Sequence, residues 1–142
     1  MLHAVVDTNI LIRAVLKPTS SDGKVYRMFL AGSIYLYFSE EQLQEIERVL
    51  NYPRIKNKYQ VTDDTISTFI NTIFTYGRLI YPSASVELCR DQDDNKLLSV
   101  AKSVFHDEQI YLISADKDLL VLKGKVEGLD ILTPQEFLKK SA

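Results

Sequence analysis

At 142 residues the chain is long enough for one ordinary domain with one substantial core, expected to span residues 1–142 without an internal linker. Its 46% hydrophobic and 25% charged residues match average globular usage, which excludes a disordered or fibrous class. A formal net charge of −2 excludes a molecule-wide basic field, so any contact with a polyanion must be local.

In chain order, Ala4-Val5-Val6 reads as a buried strand that empties into Asp7-Thr8-Asn9, and Ile10 to Leu16 then fits a helix. Ser20-Ser21-Asp22 supplies caps for a helix to about Leu30, ended by Gly32. Ile34 to Phe38 reads as a second strand. Ser39 with Gln42 three residues on forms a capping-box pattern, and Leu43, Ile46, Val49 and Leu50 share one face of the helix that follows. Glu41, Glu45 and Arg48 fall together on a neighbouring face, which sets Glu45 at the margin of the core. Pro53 is expected to stop this helix.

A further helix follows Thr62, with Ile66, Phe69, Ile70, Ile73 and Phe74 at helical spacing and Gly77 at its close. A strand is expected at about Arg78 to Tyr81. Asp91-Gln92-Asp93-Asp94-Asn95 precedes a helical pattern in Leu97, Leu98, Val100 and Ala101, so an acidic cluster occupies a helix N-terminus, where the dipole favours it. Ile110 to Ile113 reads as a strand running into Ser114-Ala115-Asp116-Lys117-Asp118, followed by a short turn. A final strand is expected near Leu129 to Leu132, and Thr133-Pro134 with Glu136 opens a closing helix. The alternation predicts an α/β fold with a central parallel sheet flanked by helices.

Four acids, Asp7, Glu45, Asp94 and Asp116, stand at strand ends or helix margins in this scheme. Singly, each has a structural explanation: Asp7 and Asp94 as helix caps, Glu45 as an exposed helix acid, Asp116 as a turn former. Jointly they converge on the crevice beyond the carboxyl ends of the strands, where unpaired carboxylates repel one another unless a cation compensates. Oxygen ligands suit Mg²⁺ or Mn²⁺. His3 and His106 lie outside every motif, no Cys/His spacing suits zinc, and neither phosphate-binding glycine loop nor nucleophile elbow is present.

The lone Cys89 cannot form an internal disulfide, which agrees with a reducing cytosol, and reads as a small packed hydrophobe. No apolar run reaches the roughly 20 residues of a membrane span and no secretion signal opens the chain, so no membrane is expected and the location is cytoplasmic. Arg48, Arg54, Lys56 and Lys58, interleaved with Tyr52 and Tyr59, form the best local basic cluster; it suits phosphates and bases, or is a solvated helix end and loop.

These residues resemble the PIN-domain ribonucleases, in particular the PIN-family toxins of toxin-antitoxin pairs related to VapC. The resemblance is carried by Val5-Val6-Asp7-Thr8-Asn9-Ile10-Leu11, Ser39 to Ile46, Cys89 to Leu98 and Leu112 to Leu120, in the family's order. It implies that Asp7, Glu45, Asp94 and Asp116 are the metal-binding and catalytic acids, with Asn9 and the Ser114 hydroxyl in support. Many members carry Thr-Gly before the last acid where this chain has Ser114-Ala115, which keeps the hydroxyl. Asp93 competes with Asp94, and Asp118 with Asp116, Asp118 assisting directly or through water.

The resemblance implies Mg²⁺- or Mn²⁺-dependent endoribonuclease activity, a hydrolysis that leaves a 5′-phosphate and a 3′-hydroxyl. Two ions, if both bind, are expected roughly 3.5–4 Å apart, bridged by Asp7. It also implies an RNA substrate, a small antitoxin protein over the acidic crevice, and a homodimer, with Tyr35, Tyr37 or Tyr52 able to anchor an interface or to pack the core. The alternatives are a PIN-like RNA-binding or protein-interaction module without catalysis, and a phosphoacceptor receiver domain. The receiver requires an acidic pair after the first strand, where Asp7-Thr8-Asn9 supplies one acid.

Overall fold

The computed structural model of the chain describes residues 2–82, 87–104 and 109–141; His106 lies outside the described residues. β1 (Leu2–Val6), α1 (Thr8–Leu16), α2 (Ser21–Leu30), β2 (Ile34–Phe38) and α3 (Glu40–Leu50) form the first half. α4 (Pro53–Tyr59), α5 (Asp63–Tyr76), β3 (Arg78–Leu79), α6 (Gln92–Ser103), β4 (Ile110–Ile113), α7 (Lys117–Leu120), β5 (Leu129–Leu132) and α8 (Pro134–Ser141) follow.

The strands pair in parallel in the order β3-β2-β1-β4-β5, as the β-α alternation requires. Successive side chains on a strand point to opposite faces. Ala4 and Val6 of β1, Leu36 and Phe38 of β2 and Ile113 of β4 therefore join a core with Ile10, Phe29, Ile46, Leu50, Ile73 and Phe137 of the helices. Val5, Tyr37, Leu112 and Ile131 face the other way, onto Leu97, Leu98 and Val100 of α6 and Leu119 of α7. The sheet is thus covered on both faces.

Local chemistry sets the boundaries. Ser20 accepts from the Gly23 N–H at 3.3 Å and starts α2, and Gly32, at φ +80°, turns the chain toward β2. Ser39 and Gln42 make the reciprocal capping box of α3. Thr133 and Glu136 make another, each backbone N–H donating to the other's side chain at 3.1 Å.

Several expectations are corrected. Pro53 does not simply end a helix: it is the first residue of α4, where its missing N–H costs nothing. The supposed loop of the basic cluster is therefore helical; Lys56 is paired with Asp63, and Lys58 lies over the Tyr59 ring. Asp118 itself falls inside a short helix, α7, and the expected turn follows that helix at residues 121–125. β3 stops at Leu79, two residues early. Tyr37 is buried with its hydroxyl 2.8 Å from His3 Nδ1, so it packs the core and anchors no interface. Tyr35 is half-buried against His3 and the Arg78 guanidinium, whereas Tyr52 is exposed.

Candidate functional site

The chain order reverses at the centre of the sheet, where β1 lies between β2 and β4, and such switch points open a crevice at the carboxyl ends of the strands. Asp7 leaves β1 there and Ser114 leaves β4. The Asp7 N–H donates to the Ile113 carbonyl at 2.9 Å, continuing the ladder past the strand end. The buried Ser114 hydroxyl donates to Asp7 Oδ2 at 2.7 Å and accepts from the Asp116 N–H at 3.0 Å. One hydroxyl thus ties together two carboxylate-bearing strand ends 107 positions apart in sequence. Asp7 caps α1 through a 3.4 Å contact from the Asn9 N–H, and Asp116 caps α7 by accepting from the Asp118 N–H at 2.8 Å. Burial raises the Asp7 pKa, with the Ser114 hydrogen bond opposing the shift.

Two helices complete the walls. The Gln42 amide donates to the Val6 carbonyl at 2.8 Å and to the Thr8 hydroxyl at 3.4 Å, which pins the first turn of α3 to the end of β1. Glu45, one turn on, is half-buried in the cleft wall, and its pKa is raised by burial first and then by the Asp93 charge.

The cap of α6 is Asp91, which accepts from the Asp93 N–H at 2.8 Å, and not Asp94. Asp94 lies in the first turn with 7% exposure, on the face shared by Leu97, Leu98 and Ala101, while Asp93 is exposed. Its Oδ2 accepts no hydrogen bond, and burial, followed by the charges of Asp116, Asp91 and Asp7, pushes its pKa up to about 7.

Asp7, Asn9, Glu45, Asp94 and Asp116 line one cleft of about 570 Å³. One carboxylate oxygen from each of Asp94, Asp116 and Asp118 falls within 4.8 Å of the others. Asp118 is also paired with Arg90 at 3.0 Å and stands outside the cleft lining. A buried carboxylate oxygen without a donor, facing further carboxylates, is the electrostatic counterpart of a cation, and an all-oxygen donor set fits a hard divalent ion.

Asn95 is the positioning residue that sequence reading missed. It is buried, with its amide oxygen accepting from the Cys89 N–H at 2.8 Å and its amide nitrogen donating to the Cys89 carbonyl at 2.9 Å. These two hydrogen bonds to one backbone position fix the loop that delivers Asp91. Cys89 packs against the α6-side core, and burial and then Asp94 raise its thiol pKa, away from a reactive thiolate.

A PIN domain family model matches residues 3–118. The chain is 29% identical over 146 residues to the uncharacterized protein MJ1680 of Methanocaldococcus jannaschii, covering 98% of this chain and 91% of that one. It also resembles a chain in the crystal structure of VapBC2 from Rickettsia felis bound to a DNA fragment from their promoter. The TM-score there is 0.58 at 15% identity, over 92% of this chain and 97% of the other, a likeness of fold.

Proposed function

Since the chain belongs to the PIN domain family, we propose that it is an Mg²⁺- or Mn²⁺-dependent endoribonuclease acting as the toxin of a toxin-antitoxin pair. The observation that carries the catalytic reading is Asp94: a buried carboxylate with one oxygen that accepts no hydrogen bond, with an oxygen within 4.8 Å of oxygens of Asp116 and Asp118, and with its pKa pushed up to about 7. A group so placed sheds its proton readily in exchange for a cation.

Asp7, Glu45, Asp94 and Asp116 are the residues that hold the ion, with Asp118 beside them. When bound, the ion supplies Lewis acidity and offsets charge on the phosphate. Ser114 and the Asn9 N–H fix the Asp7 carboxylate, leaving its remaining lone pairs for the cleft. Gln42 fixes α3 so that Glu45 meets the same space. In hydrolysis, water oxygen bonds to phosphorus and the P–O3′ bond breaks, giving a 5′-phosphate and a 3′-hydroxyl.

The toxin role is supported by the VapBC-like fold. It brings a small antitoxin that covers the cleft and a toxin homodimer, in the cytoplasm, with residues 1–142 as one domain. Among the described residues no helix is long and apolar enough to cross a membrane.

The test is cleavage of an end-labelled RNA panel with Mn²⁺, Mg²⁺ or EDTA, alongside Asp7→Asn and Asp94→Asn. Cutting that needs the metal and falls at least about 100-fold in each variant is expected, the scale on which site groups contribute. Metal binding without cutting by the wild type would instead favour the binding-module reading.

A further inference from the structure

The cleft that holds the acids is also lined by two cations, Arg48 on α3 and Lys96 on α6. Glu41, Glu45 and Arg48 recur along one face of α3, so Arg48 stands about 10 Å along the helix axis from Glu41. Glu41 in turn holds Lys96, Oε2 to Nζ at 3.2 Å. Glu45 therefore lies between the two cations, and both draw its pKa down against the burial that raises it. Arg48 makes no ion pair among the described residues.

Seven carboxylates line this cleft and repel a polyanion. A divalent ion offsets that charge where it binds, but the neighbouring phosphates of a strand need fixed positive groups to either side. Arg48 and Lys96 are the positive groups in the lining, one on each side of Glu45.

We infer that Arg48 and Lys96 bind the phosphates flanking the scissile one in a single-stranded RNA, and that Glu41 occupies Lys96 until the strand displaces it. The inference rests on the nuclease reading above. A cleft of about 570 Å³ is the size of a small-ligand site and has room for a segment of an unpaired strand. The Glu41 and Lys96 side chains are 67% and 61% exposed, so their pairing is weak enough to exchange for a phosphate.

The test is fluorescence anisotropy of a short labelled oligouridylate with Ca²⁺, across a salt series. Arg48→Gln and Lys96→Gln are each expected to weaken binding roughly three- to tenfold and to reduce the slope of log affinity against log salt by about 0.7. Glu41→Gln is expected to tighten binding, and the gain is expected to vanish in the Glu41→Gln/Lys96→Gln double variant. All three side chains are exposed, so each variant should melt as the wild type does. Unchanged affinity and slope in both cation variants would overturn the inference, and a Glu41→Gln gain that survives the loss of Lys96 would overturn the exchange. Cleavage of the same RNA in Mn²⁺ separates this from its premise. Cutting by the wild type with unaltered binding in the variants sinks the phosphate contacts alone, whereas the expected binding pattern without cutting sinks the nuclease reading alone.

Discussion

At Asp94 a carboxyl with 7% exposure has its pKa pushed up to about 7 from an ordinary 3.8, so in metal-free protein the proton is held there well above the usual carboxylate range. A pKa raised by folding means that the protonated form is favoured in the native state. Its stabilising contribution is whole below pH 3.8 and is lost as pH rises through about 7. Asp94→Asn removes that dependence. In thermal melts of metal-free protein from about pH 4 to about pH 8, the variant is expected to gain on the wild type as pH rises. A constant offset between the two would contradict the placement of Asp94. That Asp94 and not Asp93 turns inward was legible in the sequence, because positions 94, 97, 98 and 101 share a helical face and the three partners are apolar. Asp118 was harder: it follows Asp116 by two residues, its oxygen clusters with those of Asp94 and Asp116, and an ion pair with Arg90 also claims it. No spacing rule separates such roles.

At the scale of elements, the Asn95 side chain ties the loop before α6 to the helix at Cys89. Asn95→Ala leaves the Cys89 N–H and carbonyl without their partner and is expected to cost about 1–3 kcal/mol in urea unfolding. A loss below a few tenths would show that the loop does not depend on it. Asn95 gave no signal in the sequence, since an amide beside four other polar residues looks the same whether buried or solvated. The strands at Ile34–Phe38 and Ile110–Ile113 were legible to the residue, and that at Leu129–Leu132 in its place, because short, mostly apolar runs there end at Ser39, Ser114 and Thr133. α4 was not legible: it is seven residues long, has no side-chain cap, and begins with a proline that reads equally as a stop.

For the whole molecule, the parallel sheet was legible from the β-α alternation, but the order β3-β2-β1-β4-β5 was not. It depends on the pairing of β1 with β4 across more than 100 residues, where no local pattern acts. That pairing puts Asp7 and Ser114 within one hydrogen bond and makes the cleft. Leu112 lies within the β1–β4 pairing, fully buried between β1 and β5 and packed on the α6 side. Leu112→Ala is expected to destabilise by about 2–5 kcal/mol, read as a lower urea midpoint at unchanged slope. A cost under about 1 kcal/mol would mean that β4 is not a central strand.

The central claim is that carboxylates from β1, α3, α6 and the end of β4 form one divalent-cation site. Its most direct test is calorimetric titration of Mn²⁺ at about pH 7 in two buffers of different ionisation enthalpy, on wild type and Asp94→Asn. Binding by the wild type with release of protons, and both lost or sharply reduced in the variant, is the expected result. No Mn²⁺ binding, or binding of equal affinity and proton release in both proteins, would contradict it.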